Sequence, residues 1–235
     1  MVPVCRSMSS WSRLPIPRGR IAFDLSLYLV ANRPSFQDES LFFSKIMSAV
    51  KGGVSCVQFR DHKNDLSATI RTAFRLKNML QGVPLFINTL QPFDVIHAVK
   101  AEGVYLEDNF SYSEARKLLG TKAIIGASVK TMDEVMALGE TKEVDYISVK
   151  VSPSKKTCPR NDQLWGMEGL RSVRAIIPHR IVAIGGLNLS CVEPVYRELR
   201  SDDGIAMAGG LMDEEAPNVT AQKIQSIRMK IREGR

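Results

Sequence analysis

No stretch of this 235-residue chain approaches the roughly 20 consecutive apolar residues that a helix needs to cross a bilayer. A membrane-spanning helix is therefore not expected. Cysteine is scarce, with four residues (Cys5, Cys56, Cys158 and Cys191), none of them in a CxxC pair. That spacing argues against a disulfide framework or a zinc site, and suits reduced thiols in the cytoplasm. No basic stretch is interleaved with aromatics, which leaves little reason to expect a nucleic-acid partner. The first twenty residues hold no acid at all, but they carry Arg6, Arg13, Arg18 and Arg20. They also lack an apolar core of signal-peptide length. Residues 1–20 read as a disordered extension or an over-extended start, with a functional basic arm as the alternative, and residues 21–235 as one domain.

What is present is an ordinary globular composition, 44% hydrophobic and 24% charged. Thirty-two Lys and Arg against 25 Asp and Glu give a formal charge of +7. A mildly basic balance suits anionic small molecules. Expected partners are small phosphorylated compounds, with no nucleic acid and no membrane, and a homo-oligomer is left open.

Short β-branched runs alternate with longer amphipathic ones from Asp24 onward. Strands are expected at 25–31, 54–60, 84–88, 103–106, 123–128, 145–149, 181–185 and 204–208. Helical patterns fall at 39–51, 65–81, 92–100, 113–119, 131–139, 166–177, 189–199 and 217–233. Several strand candidates are nearly all apolar, as strands covered on both faces must be. Ser111 with Glu114, and Thr131 with Glu134, have capping-box spacing. Eight such units in about 210 residues is the count for a single (β/α)8 TIM barrel. A doubly wound open sheet is the competitor. It usually shows a glycine-rich turn after its first strand, and here that strand runs into Asn32-Arg33-Pro34-Ser35.

A parallel barrel gathers the carboxyl ends of its strands on one face, so candidate site residues are sought there. In Val57-Gln58-Phe59-Arg60, alternation is expected to turn Gln58, Arg60 and then His62 to the same side. An arginine in the barrel mouth needs an anion, either a ligand or another barrel residue. His62 is either a phosphate donor or proton carrier, or a loop histidine facing water. Asn88 offers an amide that can accept from an amine and donate to a ring nitrogen together, unless it only makes a turn. Ser128 offers a hydroxyl to a ligand, or is a satisfied core serine. The run from Ser152 to Arg160 is dense in hydroxyls and cations, including Ser154, Lys155, Lys156 and Thr157. Such a loop can fold over a diphosphate. Gly185-Gly186 and Ala208-Gly209-Gly210 end the last two strands. Bare backbone N–H groups at those positions form a phosphate cradle. His97 and His179 are assigned no chemistry.

These residues, in this order, carry a resemblance. Leu27-Tyr28-Leu29-Val30, Gly52-Gly53-Val54 with Gln58-Phe59-Arg60, Val83-Pro84-Leu85-Phe86-Ile87-Asn88, Ala183-Ile184-Gly185-Gly186 and Asp203-Gly204-Ile205-Ala206 together resemble the thiamine phosphate synthases and their TenI-like relatives, over roughly residues 25–215. The resemblance implies a transferase that joins hydroxymethylpyrimidine diphosphate to thiazole phosphate, releasing diphosphate. It implies Mg²⁺ as cofactor. It assigns Gln58, Arg60 and Asn88 to the pyrimidine diphosphate, with Ser128 in support. Ser154, Lys155, Lys156 and Thr157 match a blurred form of the family's Thr-x-Thr-Lys loop. Gly185, Gly186, Ala208 and Gly209 fall at the thiazole phosphate, and Arg60, Ser128 and Lys156 are the catalytic set. The chain departs from the family at His62, where a lysine is usual and Lys63 is adjacent. It departs again at Thr89 and Phe110, where the metal aspartates fall. Glu107, Asp108 and Asn109 lie nearby as substitutes, with Asp108 the candidate metal ligand. A non-catalytic thiamine-related phosphate-binding barrel and a TenI-like thiazole tautomerase are the alternatives.

Overall fold

A computed structural model describes residues 23–33, 37–107, 110–139, 141–152 and 166–234. The expected 1–20 extension lies outside them. Eight strands and nine helices occur among the described residues. In chain order they are β1 (Leu27–Asn32), α1 (Glu39–Lys51), β2 (Cys56–Asp61), α2 (Leu66–Leu80), β3 (Leu85–Thr89) and α3 (Pro92–Val99). Next come β4 (Gly103–Leu106), α4 (Tyr112–Leu119), β5 (Ile124–Val129), α5 (Met132–Gly139), β6 (Tyr146–Lys150) and α6 (Met167–Ile176). The chain ends with β7 (Arg180–Ile184), α7 (Val192–Glu198), β8 (Gly204–Met207), α8 (Gly209–Met212) and α9 (Pro217–Glu233). The strands pair in sequence order as a closed barrel, and β1 meets β8 in parallel through Leu27↔Ile205, Tyr28↔Ala206 and Leu29↔Met207. That last pairing decides against the open sheet. The short α8 was not expected: after β8 the chain closes one turn, with the Leu211 and Met212 N–H groups donating to the Ala208 carbonyl, instead of forming a simple loop.

Alternation along each strand divides the core in two. Leu27, Leu29, Val57, Phe59, Ile147 and Val149 face outward under the helices. Tyr28, Cys56, Phe86, Tyr105, Tyr146 and Ala206 fill the barrel. The inner rings pack edge-on, with centroids 5.7 Å apart for Tyr28–Phe86 and 6.0 Å for Tyr28–Tyr146. Gly126 makes room for this cluster, since a β-carbon there would fall 2.1 Å from the Tyr146 ring.

Helix starts follow the sequence. Ser111 accepts from the Glu114 N–H at 3.3 Å and Thr131 from the Glu134 N–H at 3.2 Å. The Glu134 carboxylate reaches back one residue further than a standard capping box, to the Lys130 N–H. Below the barrel, buried Asp203 accepts from Arg174 at 2.8 Å, from the Ile181 N–H at 2.7 Å and from the Arg200 N–H at 2.8 Å. It ties α6 to the starts of β7 and β8. Burial pushes its carboxyl pKa up, and the Arg174 guanidinium opposes that shift. Removing one partner strands a buried charge. Asp203→Ala is therefore expected to lower the unfolding free energy by about 3 kcal/mol, read as a shift in the urea midpoint. An unchanged midpoint would mean that the pair contributes nothing net.

Candidate active site at the carboxyl rim

The inward positions of β2 and β3 carry Gln58, Arg60 and Asn88, and the register sets Arg60 beside Asn88. Gln58 is 3% exposed and its Oε1 accepts from the Tyr28 hydroxyl at 2.9 Å. The Tyr28 and Tyr146 hydroxyls lie 2.8 Å apart. Burial pushes both phenols well above their ordinary pKa, so both keep their protons at neutral pH. A phenol has a single proton to donate. If Tyr28 donates to Gln58, then Tyr146 donates to Tyr28 and every proton has an acceptor. With the amide reversed, Tyr28 would donate to Tyr146, whose own proton would have no other hydrogen-bonding partner among the described residues. The chain of bonds therefore selects one orientation. Oε1 is engaged, and the Gln58 amide nitrogen, which has no partner among the described residues, is the end available to a ligand.

Asn88 is oriented in the opposite sense. Its Nδ2 donates to the Tyr105 carbonyl at 3.1 Å, while its Oδ1 is buried with no hydrogen-bond partner. One of its two amide N–H groups is committed to the strand backbone, and that bond fixes which way the amide faces. What remains is a buried unpaired acceptor, which costs free energy until a ligand N–H satisfies it. Neighbouring strands thus present one amide donor and one amide acceptor. That pair complements a ring nitrogen beside an exocyclic amine.

Arg60 is paired with Glu107 of the β4 end at 3.6 Å, with the two side chains 43% and 45% exposed. A pair this open adds little stability, so an incoming anion can displace Glu107 cheaply. Ser128, on β5, is half-buried beside the Tyr105 phenol, which also bonds Ser148 at 2.5 Å. His62 departs from expectation. β2 ends at Asp61, whose carboxylate accepts from the Lys63 and Asn64 N–H groups at 3.2 and 3.1 Å. This turn breaks the strand alternation, so parity with Gln58 and Arg60 does not extend to His62.

At the other side of the rim the chain turns through Gly185 (φ +131°) and Gly186 (φ +59°). A β-carbon on Gly185 would fall 2.5 Å from the Val151 carbonyl oxygen, whereas one on Gly186 would meet nothing within 4 Å. Gly185 is thus required by both conformation and contact, and Gly186 by conformation alone. Ala208 and Gly209 enter α8, where the Leu211 and Met212 N–H groups donate to the Ala208 carbonyl and the Gly209 and Gly210 N–H groups, at the start of the turn, have no helical acceptor.

The described donor set does not fit a magnesium centre. Thr89 offers a buried neutral hydroxyl, Phe110 packs its ring edge-on against Phe93 at 5.8 Å, and Glu107 is engaged by Arg60. No group of three or more His, Cys, Asp or Glu side chains that could hold a metal occurs among the described residues. Asp108, Ser154, Lys155, Lys156 and Thr157 lie outside those residues. Sequence reasoning missed Tyr28 and Tyr146. The available signal was a polar residue at the inward parity of a strand.

A closed parallel barrel with oriented amides, an arginine and a diglycine turn on its carboxyl rim is the build of an enzyme for small phosphorylated ligands. Here the chain belongs to the thiamine monophosphate synthase family, whose model matches residues 27–227. It is 35% identical over 208 residues to a thiamine-phosphate synthase of Albidiferax ferrireducens, covering 86% of this chain and 91% of that one. It is 37% identical over 203 residues to a thiamine-phosphate synthase of Azorhizobium caulinodans, with 84% and 91% covered. The fold is similar to that of a thiamine phosphate pyrophosphorylase from Pyrococcus furiosus, with a TM-score of 0.75, 25% identity, and 88% and 96% of the chains covered. No described helix is long and apolar enough to cross a membrane.

Tyr28→Phe keeps the ring but frees the Gln58 amide to turn. Affinity for the pyrimidine diphosphate should fall about tenfold, the loss of one oriented hydrogen bond, with thiazole phosphate affinity unchanged. Calorimetric titration of both ligands tests this, and equal losses for the two would indicate general loosening instead.

Proposed function

We propose that this protein is a thiamine-phosphate synthase, joining hydroxymethylpyrimidine diphosphate to thiazole phosphate to give thiamine phosphate and diphosphate. The carrying observation is the oriented amide pair: Gln58 left as a donor and Asn88 left as an unpaired acceptor. On this reading Gln58 donates to a pyrimidine ring nitrogen and Asn88 accepts from the exocyclic amine. Arg60 exchanges Glu107 for the diphosphate, and Ser128 supports it from β5. Ser154, Lys155, Lys156 and Thr157 are assigned to the diphosphate, as is His62. Gly185, Gly186, Ala208 and Gly209 take the thiazole phosphate through backbone N–H groups.

The C–O bond to the diphosphate breaks first, and the leaving group keeps the electron pair. The pyrimidine stabilises the resulting cation. The thiazole nitrogen lone pair then forms the new C–N bond. The chain's own task is electrostatic: fixed donors and cations face the charge that develops on the leaving group. No step is routed through a metal, because the described residues do not fit one.

Purified full-length protein supplied with both precursors should form thiamine phosphate, followed by chromatography. Absence of product at every Mg²⁺ or Mn²⁺ concentration, with thiazole phosphate still bound tightly, would replace this reading with a non-catalytic phosphate-binding barrel. The substitutions at Thr89 and Phe110 favour that second reading. Arg60→Ala should weaken diphosphate-ligand binding by about tenfold or more and leave the thermal midpoint within a few degrees, since its present ion pair is exposed. Unchanged binding would remove Arg60 from the site.

A further inference from the structure

Lys150 is the last residue of β6 and pairs in register with Ile184, the last residue of β7. Gly185 follows directly, so the lysine stands beside the diglycine turn. A β-carbon built on Gly185 would lie 3.4 Å from Lys150 Cγ. The aliphatic stem of Lys150 therefore lies within van der Waals reach of the Gly185 position. Two residues earlier on the same face of β6, Ser148 bonds Tyr105 inside the barrel, so Lys150 continues the inward set at the rim, where it is exposed.

The charge balance at this end of the mouth needs such a residue. Backbone N–H groups supply partial charges but no net charge. Asp213, at the end of α8, sets a carboxylate beside the second turn: a β-carbon on Gly209 would fall 2.5 Å from its Oδ2. A phosphate dianion seated between the two turns would meet a carboxylate on one side, and Lys150 is the cation whose stem lies against the opposite turn. We infer that Lys150 is the ionic anchor of this phosphate subsite. Its ammonium pairs with the phosphate of the second substrate above Gly185-Gly186, and gives the subsite a charge that its backbone lacks. The inference rests on the synthase reading for the identity of that substrate.

The test is calorimetric titration of thiazole phosphate and of hydroxymethylpyrimidine diphosphate into the full-length protein and its Lys150→Met and Lys150→Arg variants. Methionine keeps the stem and loses the charge. Lys150→Met is expected to weaken thiazole phosphate about tenfold, the range for a charge-assisted hydrogen bond, and to flatten the salt dependence of binding. Lys150→Arg should restore most of the affinity. Pyrimidine diphosphate affinity should not change. Unaltered thiazole phosphate affinity in Lys150→Met would overturn the inference, as would a loss confined to the pyrimidine diphosphate. Failure of the parent protein to make thiamine phosphate, alongside the expected Lys150→Met loss, would sink the synthase reading and leave the anchor standing.

Discussion

The pairing of β1 with β8 is the constraint on which everything else in this molecule depends. Without it, Arg60 and Gly185 would sit on distant parts of an open sheet. Closure sends both to one rim and forces alternate side chains into a shared interior. That interior is too small to be a pore. Tyr28, Phe86, Tyr105 and Tyr146 fill it, and Gly126 is shaped to the Tyr146 ring. The site is therefore a shallow polar layer laid over an aromatic floor.

That floor does more than exclude water. Its phenol groups would be costly to bury unpaired, and they satisfy one another and then the layer above. The proton order runs from Tyr146 to Tyr28 to Gln58, and burial keeps both phenols protonated. Asn88 is oriented separately, by a carbonyl of β4. Two chemically similar amides are thereby held in opposite orientations. The orientation of the two amides is built by packing and backbone, not by the amide residues alone.

Electrostatics around the rim follow a different principle. The Arg60–Glu107 pair is open to solvent and easily exchanged, whereas the Arg174–Asp203 pair beneath the barrel is buried and structural. The mouth carries both signs of charge, and no group of three or more His, Cys, Asp or Glu side chains that could hold a metal occurs among the described residues. Thr89 and Phe110 have gone over to hydroxyl and hydrophobic roles. The metal question is thus a matter of this chain's own donor chemistry, not of its fold.

The barrel itself was legible in the sequence, because its signal is local. Apolar runs, capping residues such as Ser111 and Thr131, and glycine punctuation act within a few residues of where they occur. The rim positions of Gln58, Arg60, Asn88 and the diglycine followed from strand ends and parity. Asp61 shows where parity stops: its side chain closes a turn, and His62 leaves the pattern. The one-turn α8 also escaped notice, since two glycines read equally well as a loop. What only the tertiary structure decided is which atom of each polar residue is left for a ligand. The bond from Tyr28 to Gln58, the carbonyl of Tyr105 on Asn88, and the stem of Lys150 beside Gly185 join residues that are distant in sequence or on separate strands. No local propensity encodes such contacts; barrel closure brings them together.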